Sequence, residues 1–136
     1  MEITQHELEL AERFASSAHQ GQFRRDGTTP YVEHARRVAA RLDQRTLKAV
    51  ALLHDVLEDT SATEEELAAA GISREVIDAV RILTKDGSPY ESYLERVKSH
   101  PIARPVKVAD MLDNISDFPT EAQIVKYAKG LLFLLT

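Results

Sequence analysis

The chain has 136 residues, no cysteine and a formal charge of −5. That length suits one core; the missing cysteine excludes disulfides and thiolate ligands, so any metal site must be built from His, Asp and Glu. The acidic balance excludes broad nucleic-acid binding, which needs a basic surface, but leaves room for a small anion held by a local basic patch.

The start, MEITQHELEL, lacks a basic segment followed by an apolar one, and GLLFLLT near the end is too short to span a bilayer. The expectation is a cytoplasmic domain with no membrane contact. Thr4 with Glu7 makes a capping-box pattern, and Leu8, Ala11, Ala15 and Ala18 follow as an apolar stripe that Gly21 stops. QFRRDGTTP (22–30) is a polar loop, and Pro30 suits the first turn of a helix carrying Val32, Ala35, Val38, Ala39 and Leu42. A helix from about Gln44 to Leu57 is apolar around most of its circumference, which marks it as the central buried one.

Thr63 and Glu66 cap a short helix ending at Gly71, and Ser73 starts another with Val76, Ile77, Val80 and Leu83 facing inward. Ser88, Pro89 and Glu91 combine an N-cap, a first-turn proline and a capping-box acid. A helix from about Ile102 to Ile115 follows, and Thr120 with Gln123 opens the last. The pattern predicts an all-α single domain, residues 1–136, of seven or eight helices.

Chemistry concentrates in LLHDVLEDT (52–60). On a helix His54 lies beside Glu58, and Asp55 beside both Glu58 and Asp59. His54 and Asp55 are about 100° apart around the axis, so both can reach one point. An imidazole and a carboxylate begin a divalent-metal site, which needs at least four ligands. His34, on an amphipathic helix, and Asp110, interrupting the apolar run of VKVADMLDN, are the further candidates. A buried carboxylate is costly unless paired or metal-bound. On spacing alone, His34 also reads as a hydrogen-bonded core histidine and Asp110 as a partner of Lys107 or Arg36. His6, His19 and His100 read as structural or exposed.

Four stretches carry a more specific signal: FASSAHQGQFRRDGTTPYVEHARRVA (14–39), ALLHDVLEDT (51–60), VRILTK (80–85) and VKVADMLDNI (106–115). Together they resemble the HD-domain superfamily of metal-dependent phosphohydrolases, and within it the hydrolase domain of the RelA/SpoT stringent-response family and its small stand-alone relatives. The resemblance implies an HD-domain helical bundle. It implies His34, His54, Asp55 and Asp110 as ligands of a divalent metal ion, commonly Mn²⁺. Glu58 and Asp59 match the acidic pair around the attacking water, while Arg24, Arg25 and Asn114 match substrate-binding positions. Lys85, in the matched LTK, is a further candidate for phosphate. Arg36, Arg37, Arg41 and Lys48 add positive charge nearby, with Arg37 and Arg41 read as a solvated helix face.

The implied activity is hydrolysis of ppGpp or pppGpp by metal-activated water, releasing pyrophosphate. The alternatives are another nucleotide or phosphoester as substrate, or a catalytically weak metal- or nucleotide-binding module. Two departures stand out: the loop before the PY pair is one residue longer than usual, and ADMLDN stands where the family often has ADRLHN. Met111 thus replaces a basic residue and Asp113 a histidine, which removes positive charge beside Asn114.

Overall fold

The computed structural model describes residues 2–136. It contains nine helices among them: α1 (Gln5–Ala18), α2 (Val32–Ala40), α3 (Arg45–Leu53), α4 (Val56–Asp59), α5 (Glu64–Ala69), α6 (Arg74–Leu83), α7 (Tyr90–Ser99), α8 (Ala103–Ile115) and α9 (Glu121–Leu135). No strand forms among the described residues; one isolated bridge, Phe23 to Pro30, closes the 22–30 loop. None of the described helices is long and apolar enough to cross a membrane.

Helix α3 is the hub. It packs against α1, α2, α6 and α8, and Ala49, Val50, Ala51, Leu52 and Leu53 are all buried. Five consecutive buried residues on a helix require neighbours on every side, as the all-round apolar pattern predicted. Burying Leu53 fully is worth roughly 1.5–3 kcal/mol relative to leaving it in water. Around this hub, α8 joins α2 to α9, and α7 packs against both α8 and α9. Gly130 lets α9 approach α8 closely: a Cβ there would lie 2.6 Å from Met111 Cε.

The expected helix from Gln44 to Leu57 is broken at His54 and Asp55, which accounts for the extra element. Its cause is local. The carbonyl of Ala51 accepts both the backbone N–H of His54 at 3.4 Å and the His54 ring nitrogen Nδ1 at 2.6 Å. Asp55 then sits at φ −104°, ψ −1°, and the chain restarts as α4 with Asp59 N–H donating to the Asp55 carbonyl at 2.9 Å. Two adjacent side chains thereby leave the helix where their backbone is no longer confined to one regular spiral.

The capping boxes divide in an informative way. Thr63–Glu66 and Thr120–Gln123 form complete reciprocal boxes. Thr4 caps α1 by accepting from Glu7 N–H, but the Glu7 carboxylate accepts instead from the backbone N–H of Ser73, at 2.9 Å. It therefore ties the start of α6 to α1. Helix α7 begins at Tyr90 without any side-chain cap, and Ser88 Oγ accepts from Arg96 rather than capping the helix.

Candidate metal centre

Two helices and the break between two others deliver the centre. His34 projects from α2, Asp110 from α8, and His54 with Asp55 from the α3–α4 break. His34, His54 and Asp110 are buried and offer ligand atoms that all lie within 4.8 Å of one another; Asp55, Glu58 and Asp59 form a second such group. Asp55 joins the two, since its Oδ2 lies 3.0 Å from His54 Nε2.

Hydrogen bonds fix how the imidazoles face. A carbonyl oxygen only accepts, so the contact from His54 to Ala51 places the ring proton on Nδ1 and leaves a lone pair on Nε2. That buried Nε2 has no hydrogen-bond partner. It faces Asp55 Oδ2 at 3.0 Å and Asp110 Oδ1 at 3.3 Å. His34 repeats the arrangement. Its Nδ1 lies 2.7 Å from Asp113 Oδ2, and its Nε2 faces Asp110 Oδ1 at 2.9 Å.

Two imidazole lone pairs directed at carboxylate oxygens repel unless a positive charge lies between them. The donor set therefore fits a divalent cation, and two nitrogens with two carboxylates suit a first-row metal. Without such an ion a proton takes the place: burial opposes charge on His54, but Asp55 and Asp110 outweigh it and raise its pKa well above 6.5.

Neighbours hold the carboxylates ionised. Burial would raise the Asp110 pKa, yet Lys107, His54 and His34 bring it well below the usual range. Lys107 Nζ lies 3.1 Å from Asp110 Oδ2, and Asn114 Nδ2 donates to Asp110 Oδ1 at 3.0 Å. Tyr31 donates to Asp55 Oδ2 at 2.5 Å. Burial and the Asp55 charge push the Tyr31 pKa far up, so it stays a phenol donor. For Asp55, too, burial is overridden, chiefly by His54, and its pKa falls.

Asp113 emerges as the residue that motif reading undervalued. It is fully buried and accepts from His34 at 2.7 Å and from Arg37 Nε at 3.0 Å. Burial alone would raise its pKa, but these hydrogen bonds lower it to about 2. Arg37 is thus not simply a solvated face: its guanidinium neutralises Asp113 from the outside. Arg41 approaches Asp113 at 3.9 Å. The i, i+3 spacing from Asp110 to Asp113 was the available signal; its partner on α2 was not legible. Of Asp110's alternative partners, Lys107 is the one it meets, while Arg36 pairs with Glu12 and Glu33.

The remaining candidates divide between cavity and flank. A cavity of about 170 Å³ is lined by His34, Asp55, Glu58, Asp59, Lys85, Asp110 and Asn114, together with Lys107, Lys126 and four tyrosines. Glu58 Oε1 accepts the Lys85 backbone N–H at 2.8 Å. The Asp59 pKa is raised by partial burial and by the charges of Asp55 and Glu58. Arg24 and Arg25 lie outside the cavity lining. Arg24 donates to Asp117 at 2.7 Å and to Asn114 Oδ1 at 3.3 Å, and Arg25 to Gln123 at 2.6 Å. His19 is buried, with its ring 4.9 Å from that of Tyr31, while His100 Nδ1 accepts from the backbone N–H of Ala103.

A helical bundle presenting paired histidines and aspartates to a small polar cavity is the architecture of a metal-dependent hydrolase centre. The HD domain family model matches residues 9–131, and the chain belongs to that family. It is 36% identical over 119 residues to the guanosine-3′,5′-bis(diphosphate) 3′-pyrophosphohydrolase MESH1 of Drosophila melanogaster, covering 77% of this chain and 65% of that one. An Aquifex aeolicus protein of the same enzymatic name is 31% identical over 124 residues, 80% of this chain and 17% of its own. The bifunctional (p)ppGpp synthase/hydrolase SpoT of Escherichia coli is 46% identical over 65 residues, 44% of this chain and 9% of its own. The chain thus spans just under two thirds of MESH1 and a small part of the bacterial proteins. Among solved structures, one described as a metazoan ortholog of SpoT that hydrolyzes ppGpp superposes with a TM-score of 0.81 at 28% identity, over 99% of this chain and 88% of that one.

Proposed function

We propose that residues 1–136 form one HD phosphohydrolase domain that removes the 3′-diphosphate of ppGpp or pppGpp in the cytoplasm, with Mn²⁺ as its metal. The observation that carries this reading is the pair of buried Nε2 lone pairs facing Asp55 and Asp110, a donor set that calls for a divalent ion. The named activities of MESH1 and of the SpoT-type relatives supply the substrate class.

In this reading His34, His54, Asp55 and Asp110 hold the ion. A divalent cation there supplies charge that acidifies water and polarises a phosphoryl oxygen. Glu58, pinned by the Lys85 backbone N–H, takes the proton of the attacking water or orients it. Asp59 stands beside Glu58 and Asp55 and can relay that proton to the leaving oxygen. Asn114 keeps Asp110 in place and borders the nucleotide. Arg24 and Arg25, at the flank, contribute positive charge where the nucleoside end extends beyond the small cavity.

The test is direct. Purified protein with Mn²⁺ and ppGpp should yield GDP and pyrophosphate in equal amounts. Turnover confined to other nucleotides would replace the substrate, and stoichiometric metal without turnover of any phosphorylated nucleotide would overturn the enzymatic reading.

A further inference from the structure

The cavity holds more positive charge than its metal-type centre uses. Lys107 is committed to Asp110, at 3.1 Å. Lys85 and Lys126, by contrast, pair with no carboxylate among the described residues, although the chain carries 22 acidic residues. Both turn onto the same ring instead: Lys85 Nζ lies 5.6 Å and Lys126 Nζ 5.0 Å from the centroid of Tyr90. Tyr90 is half-buried, and Lys126 Nζ also lies 5.8 Å from the Tyr127 ring centroid; ring faces are weaker partners for ammonium groups than an anion is. Partial burial and the nearby charges of Lys85 and Lys107 lower the Lys126 pKa, so these groups repel one another. Like charges gathered at a cavity rim are stabilised by an anion placed between them.

We propose that Lys85 and Lys126, set against Tyr90 from the α6–α7 loop and α9, form a clamp for the outer phosphoryl group of a diphosphate. The inner phosphoryl group then faces the His–Asp centre. This rests on the function proposed above and adds which phosphate grouping the cavity selects. Position supports it: the Lys85 backbone holds Glu58, so its side chain starts beside the reacting end of the cavity, and Lys126 reaches the same cavity from α9. Room supports it as well: the cavity, of about 170 Å³, is polar and bounded by both lysines and the metal-type carboxylates. An anion with two phosphoryl groups can meet the metal ligands and the clamp together, so the clamp favours diphosphate over monophosphate.

The experiment is calorimetric titration of inorganic pyrophosphate and inorganic phosphate into the metal-loaded protein, its Lys85→Gln and Lys126→Gln variants, and Lys98→Gln as a control. Lys98 lies elsewhere, over Phe133. The expected result is tighter binding of pyrophosphate than of phosphate, a loss of about tenfold for pyrophosphate with each clamp variant, and little change for phosphate or for the control. Unchanged pyrophosphate affinity in both variants, or equal losses for the two anions, would overturn the clamp. Should ppGpp resist hydrolysis while pyrophosphate binding responds as expected, the enzymatic reading fails and the clamp stands. Should ppGpp be hydrolysed with pyrophosphate affinity indifferent to both lysines, the clamp alone fails.

Discussion

Asp113→Asn removes one charge without changing shape, at a site that faces away from the cavity. His34 and Arg37 hold the Asp113 carboxyl at about 2, below the ordinary 3.8. That gap corresponds to roughly 2.5 kcal/mol favouring its ionised form, supplied by His34 and Arg37 against the opposing effect of burial. Asparagine can still accept from one neighbour, but not with a full negative charge, so the His34 ring becomes a poorer donor through Nε2. With His34 as the proposed ligand, loss of the carboxylate behind it should cost ~10–100-fold in metal affinity. The upper end, about 2.7 kcal/mol, is close to the free energy by which its neighbours hold Asp113 ionised. Arg37, with 41% of its side chain exposed, can turn into water and limits the loss of fold stability. Competition with a chelator for Mn²⁺ measures the affinity, and ¹⁵N shifts of His34 report which ring nitrogen carries the proton. Affinity held within about threefold, with the ring proton still on Nδ1, would refute the argument and reduce Asp113 to an anchor for Arg37.

Other perturbations probe separate parts of the molecule. Glu58→Gln should keep stoichiometric metal and lose turnover by ~10²–10⁴-fold; full activity would remove Glu58 from proton handling. Metal at a hundred times its dissociation constant should stabilise the fold by about 2.7 kcal/mol, seen as a rise in Tm that His54→Ala abolishes; an equal rise in that variant would place the ion elsewhere. Gly130→Val drives a branched side chain toward Met111 Cε, which a Cβ alone meets at 2.6 Å. It should cost about 1–3 kcal/mol in chemical denaturation, and an unchanged midpoint would mean α9 slides without penalty. Tyr93→Phe deletes a buried donor to the Leu83 carbonyl, 2.6 Å away; a loss near 1 kcal/mol is expected, and none would imply that another donor reaches that oxygen.

Much of the architecture was legible because its causes are local. The Thr63–Glu66 and Thr120–Gln123 boxes depend on residues three apart, and the buried course of α3 on its own apolar content. Glu7 reads as a box member for the same reason, yet its carboxylate is claimed by Ser73, 66 residues away. The break after Leu53 was hidden because an apolar helical pattern runs straight through it, and only the His54 ring bond to Ala51 redirects the chain. At the centre, the motif resemblance brought together His34, His54, Asp55 and Asp110 as residues, and the helices carry all four to one place. Pairing of Asp113 with His34 spans 79 positions and two helices. Since the family often has histidine at that position, resemblance drew attention to the lost charge rather than to the bond it makes. Lys126 lies beyond the last of the four matched stretches, which ends at residue 115.

Gly130 and Met111 seat α9 on α8, and α9 brings Lys126 and Tyr127 to the cavity while carrying none of the four metal-type side chains. The proposed metal ligands and the proposed clamp lysines therefore come from different segments of the chain. Substitutions along α9 can shift preference among phosphorylated compounds while the histidines and aspartates stay as they are, so the fold can acquire a new substrate by editing one wall.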